Sequence, residues 1–354
     1  VGFLAHRTGQ LGWFWFGLGW AALWSAIPLV NLRFNWERDP LRVLYPTAVG
    51  SAIMWGLALV GASPKRVRCR RFPIWLALTV GALVPSLLFV RGRMDLWQRS
   101  AQLLWQTLEA ATADEGPALL VNLPGRITPR TRLFPLGHEG VIPLPPPTNT
   151  DLLVRVHTGR DGAVFERRSG AILPPLPYAV ELAGASLNDH DLRAASSVHV
   201  LACRDGGMRL ELAGAVATKQ PQEGVVAMAT FGQEIVLLSS SCTRTGPTRA
   251  ALHLNWQTLG AVTGTPTVFA HFVGADGALL AQADGEPLRG LYPFDRWRPD
   301  EVVHDVRIFD PVPPGPSAVI VGIWDPTTGS RWKAMGKNGQ PLTEDALRWP
   351  VPGW

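Results

Sequence analysis

Acidic side chains are almost missing from about the first quarter of this chain: residues 1–91 hold Glu37 and Asp39 against ten lysines and arginines. The remainder carries 23 basic and 26 acidic side chains, so its balance has the opposite sign. A net charge of +5 would ordinarily raise nucleic acid as a partner, but its confinement to one end excludes that reading. Cysteine is scarce too, with only Cys69, Cys203 and Cys242, and no Cys/His spacing matches a zinc site. No Ser–His–Asp order, glycine-rich nucleotide loop or phosphate loop stands out. The residues therefore imply no cofactor and no metal, and they leave any catalytic residue unassigned.

The surplus positive charge borders three long apolar runs, 11–32, 43–63 and 72–90, none of which contains a charged side chain. As helices each would span roughly 30 Å, the thickness of a bilayer core. Gly17, Gly56, Gly81, Pro28 and Pro85 lie inside them, as suits membrane helices, and Trp13, Trp15, Trp20 and Trp24 crowd the first. The connector 64–71 carries Lys65, Arg66, Arg68, Arg70 and Arg71, against Arg33, Arg38 and Arg42 in the earlier one. The positive-inside rule then places 64–71 in the cytoplasm and everything after Arg91 outside. The expectation is an integral protein of the cytoplasmic membrane: three transmembrane helices in a lipid bilayer, with an extracytoplasmic C-terminal domain. The alternative is three buried helices of a core surrounded by water. The first run is too long for a secretory signal and lacks a small-residue cleavage site. The start at Val1 reads as the C-terminal portion of a longer polytopic protein, or as a plain boundary of the sequence.

Beyond the runs, 94–190 reads as a small α+β module. Residues 94–113 form an amphipathic helix whose apolar face is Trp97, Ala101, Leu104, Trp105, Leu108 and Ala111, on or near the membrane surface. A short strand follows at 118–123, and prolines forbid long regular elements up to about 150. Residues 152–157 and 163–167 flank Gly159, Asp161 and Gly162 as a hairpin would. From 191 to 340 the pattern becomes an all-β antiparallel sandwich of immunoglobulin or jelly-roll type, and 341–354 is a C-terminal tail. Strands are expected at 198–203, 208–213, 225–231, 234–239, 249–257, 267–273, 279–283, 302–309 and 318–324. In 252–257, Leu252, Leu254 and Trp256 oppose His253, Asn255 and Gln257; in 304–308, His304, Val306 and Ile308 oppose Asp305 and Arg307. Alternation of this kind gives one buried and one wet face.

Several residues carry chemistry worth testing. His138 and Glu139, flanked by Gly137 and Gly140, would bind a ligand or shuttle a proton; a turn holding the module to the sandwich is the alternative. Asp189, His190 and Asp191 have too few ligands for calcium or zinc and read as a solvated loop. The segment 284–301 is the most distinctive, with Tyr292 and Trp297 to stack on a sugar and Asp284 and Glu301 to accept its hydroxyls. Alternatively, the two rings plug the open end of the sandwich and the carboxylates cap loop amides. Cys203 and Cys242, if bridged, would close a loop of about 40 residues contributing roughly 3–4 kcal/mol. Two buried free thiols are the other possibility.

Asn255-Trp256, Thr267-Val268-Phe269-Ala270-His271-Phe272, Gln282-Ala283-Asp284-Gly285-Glu286-Pro287, Tyr292-Pro293 with Trp297, and Val321-Gly322-Ile323-Trp324-Asp325 together carry a resemblance. Over roughly 115–330 the chain resembles the extracytoplasmic β-sandwich tail of bacterial membrane proteins related to dolichyl-phosphate-mannose–protein mannosyltransferases, in the glycosyltransferase C superfamily. It departs from that pattern in having Trp324-Asp325 where Tyr-Asp is usual. The resemblance implies polyprenyl-phosphate sugars as donors and a catalytic acid in the loop after the first membrane helix. Glu37 and Asp39 follow what look like late helices, so no catalytic residue carries over. The resulting expectation is the C-terminal portion of a membrane glycosyltransferase-like protein, its sandwich an accessory domain without a catalytic centre. The alternative is a membrane-anchored, non-enzymatic module that binds envelope glycan or an envelope protein. A purely structural spacer is a third option.

Overall fold

The computed structural model describes residues 15–20, 22, 72–129, 148–170, 178–182, 184–204, 207–217, 227–299, 301–312 and 315–351. The chain divides into two compact units, 1–95 with 131–140 and 96–130 with 141–354. In the first, the described backbone is helical at 15–20 and again from Phe72.

The expected membrane anchor is not supported. Among the described residues no helix is long and apolar enough to cross a membrane. Of the three apolar runs, 11–32 and 43–63 lie outside the described residues apart from 15–20 and 22. The third is not a bounded span: it continues without a break into helix α1, Phe72–Ala113, which carries on through Arg91, Arg93, Asp95 and Arg99. With it goes the expectation of an integral membrane protein with an extracytoplasmic tail.

The second unit is mostly β-sheet. A ten-stranded sheet faces a four-stranded one, and a two-stranded ribbon packs through Ile127 and Val180 against Leu201 and Met208 of the large sheet. The strands of the large sheet are β1 (Ala118–Val121), β3 (Val164–Arg168), β5 (Ala185–Ser186), β6 (Ser197–Arg204), β7 (Gly207–Ala217), β8 (Ala229–Phe231), β9 (Ile235–Gly246), β10 (Arg249–Thr258), β13 (Val302–Phe309) and β15 (Ala334–Gly336). Their order is β15-β8-β9-β10-β13-β7-β6-β1-β3-β5. The small sheet is β12-β11-β14-β16, with β11 at Thr267–Val273, β12 at Leu279–Gln282, β14 at Ala318–Trp324 and β16 at Leu347–Pro350. The ribbon pairs β2 (Pro124–Pro129) with β4 (Tyr178–Leu182).

Between the sheets lies the principal core. Leu252, Leu254 and Trp256 of β10 meet Val268, Ala270 and Phe272 of β11 and Val319, Val321 and Ile323 of β14, all fully buried. Phe272 and Phe309 lock edge-to-face, their ring centroids 4.5 Å apart. Each such side chain contributes about 1.5–3 kcal/mol by leaving water. The sandwich extends past the expected boundary at 340: β16 pairs with β14, so 341–354 is not simply a tail.

The module preceding the sandwich is α/β, not a hairpin-bearing α+β unit. β1 pairs in parallel with both β3 and β6, and β3 pairs in parallel with β5. Residues 152–157 belong to a helix, α2 (Thr148–Thr158), with Asp151 in its first turn and Arg155 and His157 in its last, signs that complement the helix dipole. Gly159, expected in a hairpin turn, ends this helix with φ 73°, its N–H on Arg155 O at 2.7 Å. Residues 189–191 are likewise not a solvated loop but open α3 (Asp189–Ala194), where Asn188 and Asp191 form a capping box. Leu108, Ala110 and Ala111 of α1 and Val154 of α2 cover Ala118 and Leu120 on one sheet face. Leu192 of α3 covers Leu119 and Val121 on the other, so β1 is buried on both sides, as its unbroken apolar sequence requires.

The end of α1 buries Leu108 and Ala111 of the expected face, but otherwise a different stripe. Leu96, Ser100, Leu103, Thr107 and Ala111 face inward, whereas Trp97 and Trp105 are 51% and 61% exposed. Ser100 and Thr107 are tolerated inside because their hydroxyls donate to Leu96 O and Leu103 O, one turn back.

Candidate functional site

The sites expected from sequence separate in space. His138 and Glu139 lie outside the described residues. Tyr292 and Glu301 are fully buried and Trp297 is 7% exposed, so the rings offer no free face to a sugar. They stack on each other at 6.2 Å, and the indole N–H donates to Tyr292 O at 2.8 Å. The Tyr292 hydroxyl donates to Glu301 Oε2 at 2.6 Å, Arg298 N donates to the same oxygen at 3.0 Å, and Arg193 Nε of α3 reaches Oε1 at 2.5 Å. Burial alone would raise the Glu301 pKa, but these hydrogen bonds outweigh it and hold the carboxyl below its ordinary value. Burial, then the neighbouring Glu301, pushes the Tyr292 phenol far up. This cluster fastens the loop 287–301 to α3.

Cys203 and Cys242 are both free. They sit on β6 and β9, with β7, β13 and β10 between. Four strand spacings amount to roughly 19 Å, far beyond a disulfide. Burial raises both thiol pKa values, that of Cys242 to about 11.

Asp284 alone among the expected residues lines an open cavity of about 470 Å³. Its walls come from β12 and the residues after it, from the turn Pro287–Gly290, and from the end of β13 running into Asp310 and Pro311. Arg289 and Arg307 share its lining with the apolar Leu280, Ala281 and Ile308.

Arg307 is the residue that sequence reasoning placed on the wrong side. Across the sheet Arg307 pairs with Leu252, Asp305 with Leu254 and Val303 with Trp256, so the inward row of β13 is Val303, Asp305, Arg307, Phe309. Asp305 is fully buried and Arg307 is 6% exposed. Arg307 Nε donates to Asp305 Oδ2 at 2.6 Å, and Leu288 N donates to Oδ1 at 2.9 Å. Arg307 Nη1 reaches Ala283 O at 3.3 Å, while Nη2 is buried without any partner. An orphaned guanidinium nitrogen is costly, because its lost hydration is not replaced.

Arg289 is placed by a second uncommon feature. Leu288 and Arg289 take positive φ in succession, 49° and 58°, a conformation that L residues adopt only when their surroundings enforce it. Burial of the Leu288 side chain and its amide bond to Asp305 enforce it here. The consequence is that Arg289 Nη2 meets Glu211 Oε2 at 2.6 Å. Glu211 Oε1 accepts from Arg249 Nη2 at 2.5 Å, and Arg249 Nε lies 3.8 Å from Asp310 Oδ2. Asp284 Oδ1 accepts from Ala270 N at 3.0 Å, and His271 Nε2 stands 3.2 Å from the carboxylate.

Among the described residues no group of three or more His, Cys, Asp or Glu is placed to hold a metal ion. The cavity lining includes both hydrogen-bond donors and acceptors beside apolar side chains. Comparison with family models, curated proteins and solved structures finds no match to this chain.

Proposed function

We propose that the second unit is a non-catalytic accessory module of a glycosyltransferase-type protein, and that the cavity between β12 and the end of β13 binds a glycan. The observation that carries this reading is a cavity of about 470 Å³, a volume typical of small-molecule sites, whose lining sets polar side chains beside apolar ones. Asp284, Gln282 and Asp310 supply acceptors and Arg289 a cation, while Leu280 and Ile308 suit the apolar face of a pyranose ring. The resemblance to mannosyltransferase-related tails supports a sugar, and an envelope glycan is the corresponding source. Tyr292 and Trp297, being interior, take no part.

Glycan-array screening of the full chain, followed by calorimetric titration of the best binder, tests this. Gln282→Ala, on an exposed strand residue, and Asp284→Ala should each weaken binding by about tenfold, the equivalent of about 1.4 kcal/mol. The thermal midpoint of Gln282→Ala should stay close to that of the parent chain, whereas Asp284→Ala should also lower it, because Ala270 N loses its acceptor. Absence of binding to every glycan would overturn the reading.

A further inference from the structure

We infer that the cavity selects uncharged sugars over sugars carrying a carboxylate, sulfate or phosphate group; this rests on the glycan-binding reading above. Two arginines in a cavity wall would ordinarily suggest an anion, since a guanidinium grips a carboxylate through two parallel N–H donors. Arg307 has no such fork free, since its one uncommitted nitrogen, Nη2, is buried. Arg307 has committed Nε to Asp305 and Nη1 to Ala283 O, leaving Nη2 alone. Its positive charge is already answered at 2.6 Å by a carboxylate that is fully buried. Arg289 is held at 2.6 Å by Glu211, itself 2% exposed.

The remaining charges at the mouth are negative. Asp284 and Asp310 line the cavity, so its lining holds two cations against two anions, with Glu211 and Asp305 behind the cations. Glu211 is shared by Arg289 and Arg249, so three arginines stand among four carboxylates, and an entering anion meets a net negative surround that costs affinity. A neutral hydroxyl suits the same groups, because it accepts from Arg289 and donates to Asp284 or Asp310. The site is thus complementary to a ligand that both gives and takes hydrogen bonds without net charge.

Matched pairs of oligosaccharides that differ only in oxidation of the C6 alcohol to a carboxylate, titrated against the full chain, provide the test. The neutral member should bind at least about tenfold more tightly than its uronic acid counterpart. Asp284→Asn should narrow that gap by admitting the acid, and Gln282→Asp, at an exposed position that tolerates a charge, should widen it. Tighter binding of the uronic acid members, or a gap indifferent to both substitutions, would overturn the inference while leaving glycan binding intact. Binding of neither member of any pair would instead overturn the function proposed above, and this inference with it.

Discussion

Single histidines set how this protein responds to acid. His199 on β6 is 8% exposed, and burial lowers its pKa from 6.5 to about 4, opposed only in part by Asp114. His253 and His304 stack at 5.2 Å with Nδ1 and Nε2 3.0 Å apart on the outer face of the sandwich. Burial lowers both, and the proximity of His253 lowers His304 further. A histidine whose folded pKa lies below its unfolded one takes up its proton first in the unfolded chain. Its contribution is complete above pH 6.5 and is lost as the pH falls through the folded value. For His199 the difference corresponds to about 3 kcal/mol between pH 6.5 and 4. Thermal midpoints should therefore fall across that window, and His199→Gln should flatten the profile. A midpoint that is constant from pH 7 to 4 would contradict this.

At the scale of elements, alternation located most strands but not always their inward face. The strands 267–273, 302–309 and 318–324 fall where the sequence puts them. In β13, however, the charged row faces the core, because its register against β10 sets Asp305 and Arg307 beside Leu254 and Leu252. Nothing local signals this, since an Asp and an Arg two residues apart read equally well as a wet face. The α1 stripe was hidden for a related reason: Ser100 and Thr107 satisfy themselves within the helix, so they pack as small apolar groups. Gly214 marks the junction of three strands. It pairs with Val198 of β6 and with Asp305 of β13, at φ 140°, where the β6–β7 register shifts. A Cβ there would stand 1.7 Å from His304 O, a backbone atom that cannot yield. Gly214→Ala should lower stability by more than about 3 kcal/mol in chemical denaturation, whereas Gly277→Ala, with open space around it, should cost only the strain of its positive φ.

On the scale of the molecule, the sandwich and the α/β module share one sheet. β6 pairs in parallel with β1 and antiparallel with β7, so a division between 190 and 191 leaves β6 without one neighbour. The same division removes Arg167, whose Nε lies 2.8 Å from Asp191. A fragment beginning at 191 should therefore aggregate or lack a cooperative transition, with weak near-ultraviolet dichroism, because its exposed edge invites pairing. A monomeric fragment that unfolds cooperatively would show the two parts to be separable.

The sequence by itself determined where most strands of the sandwich begin and end, because period-two alternation and turn residues are local properties. It also placed a short strand at 118–123, where β1 lies. Only the tertiary structure decided that β1 pairs in parallel, that Asp305 and Arg307 point inward, that Tyr292 and Trp297 are interior, and that Cys203 and Cys242 lie four strands apart. Each of these depends on contacts between residues distant in sequence, which composition and spacing do not encode.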